Sequence, residues 1–144
     1  MANKKERELD RPLDQVKKFI QQHASLAVIG TADQEGVPHL AMESGIRWVR
    51  EKTVEFESWF CLTTIKNMKE NPKVAIAVFD PNTRKGYQLM GQIESIHEGA
   101  IMDGYIPGEE PGKQVIPPQS YRLDISVEKI LPFSSGLHSD DSLS

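Results

Sequence analysis

The chain has 144 residues, 38% of them hydrophobic and 26% charged, with a formal net charge of -4, the composition of one globular domain around one core. The acidic balance argues against a nucleic-acid or anionic-membrane partner, because either needs a basic face. The longest apolar run, Val74 to Phe79, falls far short of the roughly 20 residues that cross a bilayer.

The N-terminus carries positive charge without an apolar segment behind it, so no secretory signal is expected and a cytoplasmic location is the default. The lone cysteine, Cys61, has no partner for an internal disulfide, which agrees with a reducing compartment. His23, His39, His97 and His138 are too dispersed for a sequence-local metal site, so no metal is expected. Residues 1–8 are nearly all polar and read as a frayed arm. A helix follows from Asp10 to about His23, with Asp10 as cap, Pro12 in the first turn, and Leu13, Val16, Phe19 and Ile20 on one apolar face.

From Ala24 the pattern becomes that of a strand, turns at DQEG, and returns through VPHLAMES, a hairpin closing on Gly36. Pro38 lacks an amide hydrogen, so its strand belongs at a sheet edge or begins there. Ile46–Val49 and Thr53–Ser58 read as further strand, and Thr64–Asn71 as a short helix capped by Thr64 and stopped by Pro72. Lys73–Phe79 is the most β-branched stretch and is expected as a central strand covered on both faces. Tyr87–Ile96 pairs with it, and Gly91 within that strand marks a bulge or a close backbone approach. Residues 99–118, with four glycines and four prolines, form a long irregular connection to a last strand, Tyr121–Leu131. The expectation is a single mainly β domain over 1–133: a six-stranded antiparallel split barrel of Greek-key type with an N-terminal and a short inserted helix. A disordered tail is expected over 134–144.

Chemistry concentrates where a strand passes into the short helix. A helix start offers unpaired amide hydrogens and a positive dipole end, which suit a phosphate. Thr63 and Thr64 add hydroxyls there and Lys66 adds charge. The same residues also read as an ordinary capped helix with a surface lysine. Cys61 reads as a reactive thiol at the helix start or as a small buried filler. Trp48 and Trp59 suit an interface, a ring-stacking wall or the core. No G-x-S-x-G elbow or paired-carboxylate arrangement supports a hydrolase.

Three motifs in order, Thr31-x-Asp33-x-x-Gly36-x-Pro38, Asn67-Met68-x-x-Asn71-Pro72-x-Val74 and Leu89-x-Gly91, resemble the pyridoxamine 5'-phosphate oxidase-like family of FMN-binding split barrels over roughly residues 13–97. The resemblance implies a homodimer holding two FMN molecules in grooves between its subunits, with a small-molecule redox substrate. It places Ser44, Gly45 and Arg47 on one side of the flavin phosphate and Ser58, Thr63, Thr64 and Asn67 on the other, with Gln88 and Trp59 lining the ring. In the family resembled, many members carry a lysine or arginine where Thr63 stands and others a lysine where Glu43 stands, so here Arg47 and Lys66 are left to supply positive charge. The longer C-terminal part that binds vitamin substrate in the true oxidase is absent, so vitamin B6 oxidation is not expected. The implied activity is a flavin-dependent oxidoreductase with unassigned substrate. The alternatives are a flavin carrier or sensor, or a relative that takes heme, a deazaflavin or no cofactor.

Overall fold

The structure, a computed structural model, describes residues 4–23, 26–59, 61–100 and 119–135. Helix α1 (Lys4–His23) leads into strands β1 (Ala27–Ala32), β2 (Pro38–Glu43), β3 (Ile46–Arg50) and β4 (Thr53–Trp59). Helix α2 (Leu62–Glu70) then precedes β5 (Lys73–Asp80), β6 (Lys85–Ala100) and β7 (Gln119–Ser134). All pairings are antiparallel, in the order β2-β1-β5-β6-β7-β4-β3.

The first and last strands of that order are consecutive in the chain. Only Ser44 and Gly45 separate them, a link of at most about 11 Å, whereas the edges of a flat seven-stranded sheet lie about 29 Å apart. The sheet must therefore curl until β2 and β3 come side by side without pairing, which is a split barrel. The described residues form seven strands where a six-stranded barrel was expected: each of the seven stretches that read as strand forms one, and the stretch from Pro38 to Arg50 supplies both sheet edges. Gly45 makes the crossing with φ at +91°, and a Cβ there would meet nothing within 4 Å, so the glycine is needed for its backbone conformation rather than for space.

The interior is filled by alternate residues of the strands: Ile29 from β1, Phe56 from β4, Ile76 from β5, Leu89 from β6, and Leu123 and Ile125 from β7. Leu13, Val16 and Ile20 of α1 join that core, and Phe19 sets its ring edge-on to Tyr87 with centroids 5.4 Å apart. The helix starts earlier than its capping signal indicates. Most of Lys4–Arg11 consists of good helix formers, so the helix runs through Pro12, and residues 4–8 belong to it rather than to a frayed arm.

The β1–β2 turn forms as expected. Asp33 Oδ1 accepts the amides of Glu35 and Val37 at 2.9 Å each, and Gly36 has φ of +86°. Strand β2 begins at Pro38 and is an edge. At Gly91 a Cβ would sit 1.8 Å from the Ser126 carbonyl oxygen, beside a register shift, so both readings of that glycine hold. Strand β5 is internal to the sheet, yet its outward residues Ala75 and Ala77 are only half-buried. Its second face therefore lacks the full cover expected of it. Ser134 still pairs with Lys85, while the connection over 101–118 and the tail from 136 lie outside the described residues.

Candidate functional site

Helix α2 begins at Leu62, two residues before the expected cap. Cys61 is the residue before the helix, half-buried and with no side-chain capping bond, and the first turn carries no acid. Thr64 is the third helical residue rather than the cap. Its side chain is fully buried, and Thr64 Oγ1 has no hydrogen-bond partner. The first bond of the helix runs from the Ile65 amide to the Cys61 carbonyl at 3.4 Å. Helix geometry thus leaves the amides of Leu62, Thr63 and Thr64 without intrahelical acceptors. Thr63 and Lys66 are exposed and, three residues apart, share one face of the helix.

The other end of α2 is tied down. The Asn71 amide bonds the Asn67 carbonyl at 2.7 Å, and Glu70 Oε2 accepts the Gln34 amide of the β1–β2 turn at 3.1 Å. Asn67 is buried, and its Nδ2 donates to Thr31 Oγ1 at 3.1 Å. That bond fixes Asn67 as an internal strut to β1, where the family resemblance had placed it beside a phosphate.

The register of β3 on β4 brings the second group of candidates to the start of α2. Ile46 faces Phe56 and Arg47 faces Glu55, so the Ser44–Gly45 link lies beside the end of β4, which leads into the helix. Ser44 is exposed, and its amide donates to its neighbour Glu43 Oε1 at 3.1 Å. Arg47 lies on the outer face with its side chain 57% exposed, donating from Nη2 to Glu55 Oε1 at 2.7 Å. The hydrogen bond to Glu55, the charge of Glu55 and that of Glu57 together raise the Arg47 pKa, against a small opposing effect of burial, so the guanidinium stays charged. One nitrogen is committed to Glu55; the remaining donors of the planar fork are available to a ligand.

Two candidates stand apart from this group. Trp59 is 1% exposed, packs edge-on to Phe56 at 5.4 Å, and donates from Nε1 to the Cys61 carbonyl at 3.0 Å. It is a core residue that supports the start of α2, so it offers no face to a flavin ring in a surface groove. Gln88 lies on β6, opposite Ala77 of β5 and Leu131 of β7. Strands β7 and β4 separate it from β3, about 14 Å along the sheet.

Sequence reasoning missed a charged network on the outer face of β3, β4, β7 and β6. Glu55, 11% exposed at its side chain, also approaches Arg122 Nε at 3.9 Å. Asp124 Oδ2 accepts Ser95 Oγ at 3.0 Å and lies 3.8 Å from Arg50, which also pairs with Glu94 at 3.2 Å. His97 Nε2 lies 3.1 Å from Ser95 Oγ and 4.0 Å from Asp124 Oδ2. One ring nitrogen thus faces both groups, while an acyl-transfer relay needs the acid on the opposite nitrogen. The network is a structural belt. In the sequence, Glu55 and Asp124 read as solvent-facing members of alternating strands, and only the register reveals that they are covered.

A family model described as pyridoxamine 5'-phosphate oxidase matches residues 12–129, and the chain belongs to the pyridoxamine 5'-phosphate oxidase family. Among solved structures it is similar to HupZ of Group A Streptococcus, at 25% identity and a TM-score of 0.60, over 88% of this chain and 97% of that one. It is also similar to an FMN-binding protein from Syntrophomonas wolfei, at 18% identity and a TM-score of 0.63, over 91% of each chain. An F420 reductase shares the fold at 16% identity and a TM-score of 0.55, over 78% of this chain and 94% of that one. None of the curated proteins matches the chain.

Proposed function

We propose that the protein binds FMN at the split between β2 and β3 and acts as a flavin-dependent oxidoreductase on a small molecule, in the cytoplasm. The observation that carries this reading is the start of α2: amides without intrahelical acceptors, no side-chain cap, no acid in the first turn, and a buried Thr64 hydroxyl without a partner. A phosphate satisfies donors of this kind and is favoured by the helix dipole. The hydroxyl of Thr63, the amides at the helix start, Ser44, Ser58 and the free donors of Arg47 would hold the phosphate, with Lys66 adding charge. Bound flavin would supply two-electron redox chemistry, which the protein orients and tunes by hydrogen bonds. Family membership and the FMN-binding protein of the same fold support the reading.

The reading includes a homodimer. Leu40 and Met42 of β2 are 71% and 62% exposed, and both lie on the outer face with Val28, Gly30, Ala75 and Ala77, an apolar surface that a second copy would cover. Gln88 belongs to the same face and is far from the helix start within one chain, so its contact with a flavin ring would come from the partner. Visible absorption of the purified protein, with FMN addition followed by thermal unfolding, tests the proposal. FMN at a hundred times its dissociation constant should stabilise the fold by about 2.7 kcal/mol; no stabilisation and no fluorescence quenching at high FMN would remove flavin binding. Since an F420 reductase shares the fold, the same titration with a deazaflavin separates the two cofactors.

A further inference from the structure

The outer face of the sheet carries two phenylalanines that the core does not use. Phe79 of β5 and Phe133 of β7 both lie opposite Gly86 of β6. Their rings meet over that glycine with centroids 5.9 Å apart and planes inclined at 51°. A Cβ at Gly86 would sit 1.9 Å from the Val78 carbonyl oxygen, so the position stays bare and the neighbouring rings shield it, a device found at strand glycines. Phe133 is nevertheless 40% exposed. Shielding the glycine thus leaves a large part of its ring uncovered, and burying that apolar surface is favourable.

Gln88 follows Gly86 by two residues on the same strand and face, about 7 Å away, with Ala77 and Leu131 beside it. An aromatic surface and a single amide therefore stand side by side, and none of these residues is charged. A flavin ring has the same division, an apolar dimethylbenzene end and a polar pyrimidine edge. The position along the barrel agrees as well. Glu43, the residue before the Ser44–Gly45 link, is in register with Ala27, and Ala27 with Val78, the neighbour of Phe79. The phenylalanines stand at the end of the sheet where the chain crosses the split. In the stretch β2-β1-β5-β6-β7 the middle strand is β5. A two-fold axis along β5 lays β6 and β7 of one copy over β1 and β2 of the other and keeps these ends together.

We infer that Phe133, with Phe79 beside it, is the wall on which the flavin ring of the other subunit lies, the dimethylbenzene end on the phenylalanines and the pyrimidine edge at Gln88. The inference rests on the flavin and dimer reading above and gives the second copy a definite share in the site. It supplies the ring wall that Trp59, buried in the core, does not.

Phe133→Leu tests the assignment, because leucine keeps apolar area between the copies and removes the ring. In fluorescence titrations the dimeric variant should bind FMN and riboflavin more weakly by the same factor, about three- to tenfold, as the loss of an aromatic contact implies. Phe133→Tyr, which keeps a ring, should restore both affinities. Which chain supplies the wall is read from a mixed dimer of Phe133→Leu and Thr64→Val subunits, co-expressed with different tags. One of its sites carries both substitutions and the other carries neither, so half of the sites should regain wild-type affinity.

Unchanged flavin affinity in dimeric Phe133→Leu would overturn the inference and leave the flavin reading standing, whereas a wild-type protein that binds neither FMN nor riboflavin would remove both. A loss confined to FMN would assign Phe133 to the phosphate and overturn the inference. So would a mixed pair that forms no dimer or has no wild-type site, and so would a monomeric Phe133→Leu protein, in which the residue serves the subunit contact alone.

Discussion

The two ends of α2 differ in how completely the chain satisfies them. At its C-terminal end the helix is bonded to the β1–β2 turn through Glu70, to its own last turn through Asn71, and to the barrel wall through Asn67 and Thr31. At its N-terminal end Cys61 provides no cap, no acid offsets the dipole, and Thr64 Oγ1 is buried without a partner. A nine-residue helix is too short to hold its shape by propensity alone, so the tied end sets the direction of the open one. The contrast shows where the fold is complete and where it leaves hydrogen-bonding capacity for something else.

Substitutions at the tied end should act on stability, and those at the open end on ligand affinity. The largest loss is expected for Asn67→Ala, which removes a buried bond and strands the Thr31 hydroxyl at a cost of about 1–3 kcal/mol, measurable by urea unfolding. Thr64→Val exchanges an unpartnered hydroxyl for a methyl of the same shape. It should leave stability unchanged or slightly raised, while weakening FMN about tenfold, or about 1.4 kcal/mol; a marked loss of stability would mean that the hydroxyl is already bonded. Cys61→Asp supplies the missing cap and should stabilise the fold by about 0.5–1 kcal/mol, yet weaken FMN because its carboxylate occupies the same amides. Glu70→Ala should cost the least, within about 0.5 kcal/mol, since its bond to Gln34 is at the surface.

The parts of the fold that were legible in the sequence depend on local chemistry. The DQEG turn, the start of β2 at Pro38, the close approach at Gly91 and the stop of α2 before Pro72 each follow from what one residue type permits in its backbone. The parts that were hidden depend on pairings distant in sequence. Nothing local shows that Ser44 and Gly45 carry the chain between opposite sheet edges, or that Arg47, Glu55 and Arg122 meet across three strands. For the candidate site, the start of α2 was legible as a region but not to the residue. Thr64 has the chemistry of a cap, and burial placed it one turn inside. Trp59 has the chemistry of a stacking wall, and the register shift of β4 between Phe56 and Trp59 turns it into the core beside Phe56.

The central claim is that the open end of α2 holds a phosphate, and comparing FMN with riboflavin tests it most directly, because the two differ only in that group. Titration of each into the purified protein, followed by flavin fluorescence at one ionic strength, should show FMN bound at least tenfold more tightly, with the advantage reduced in Thr64→Val. Equal affinities for FMN and riboflavin would contradict the account, since the helix start would then contribute nothing to binding.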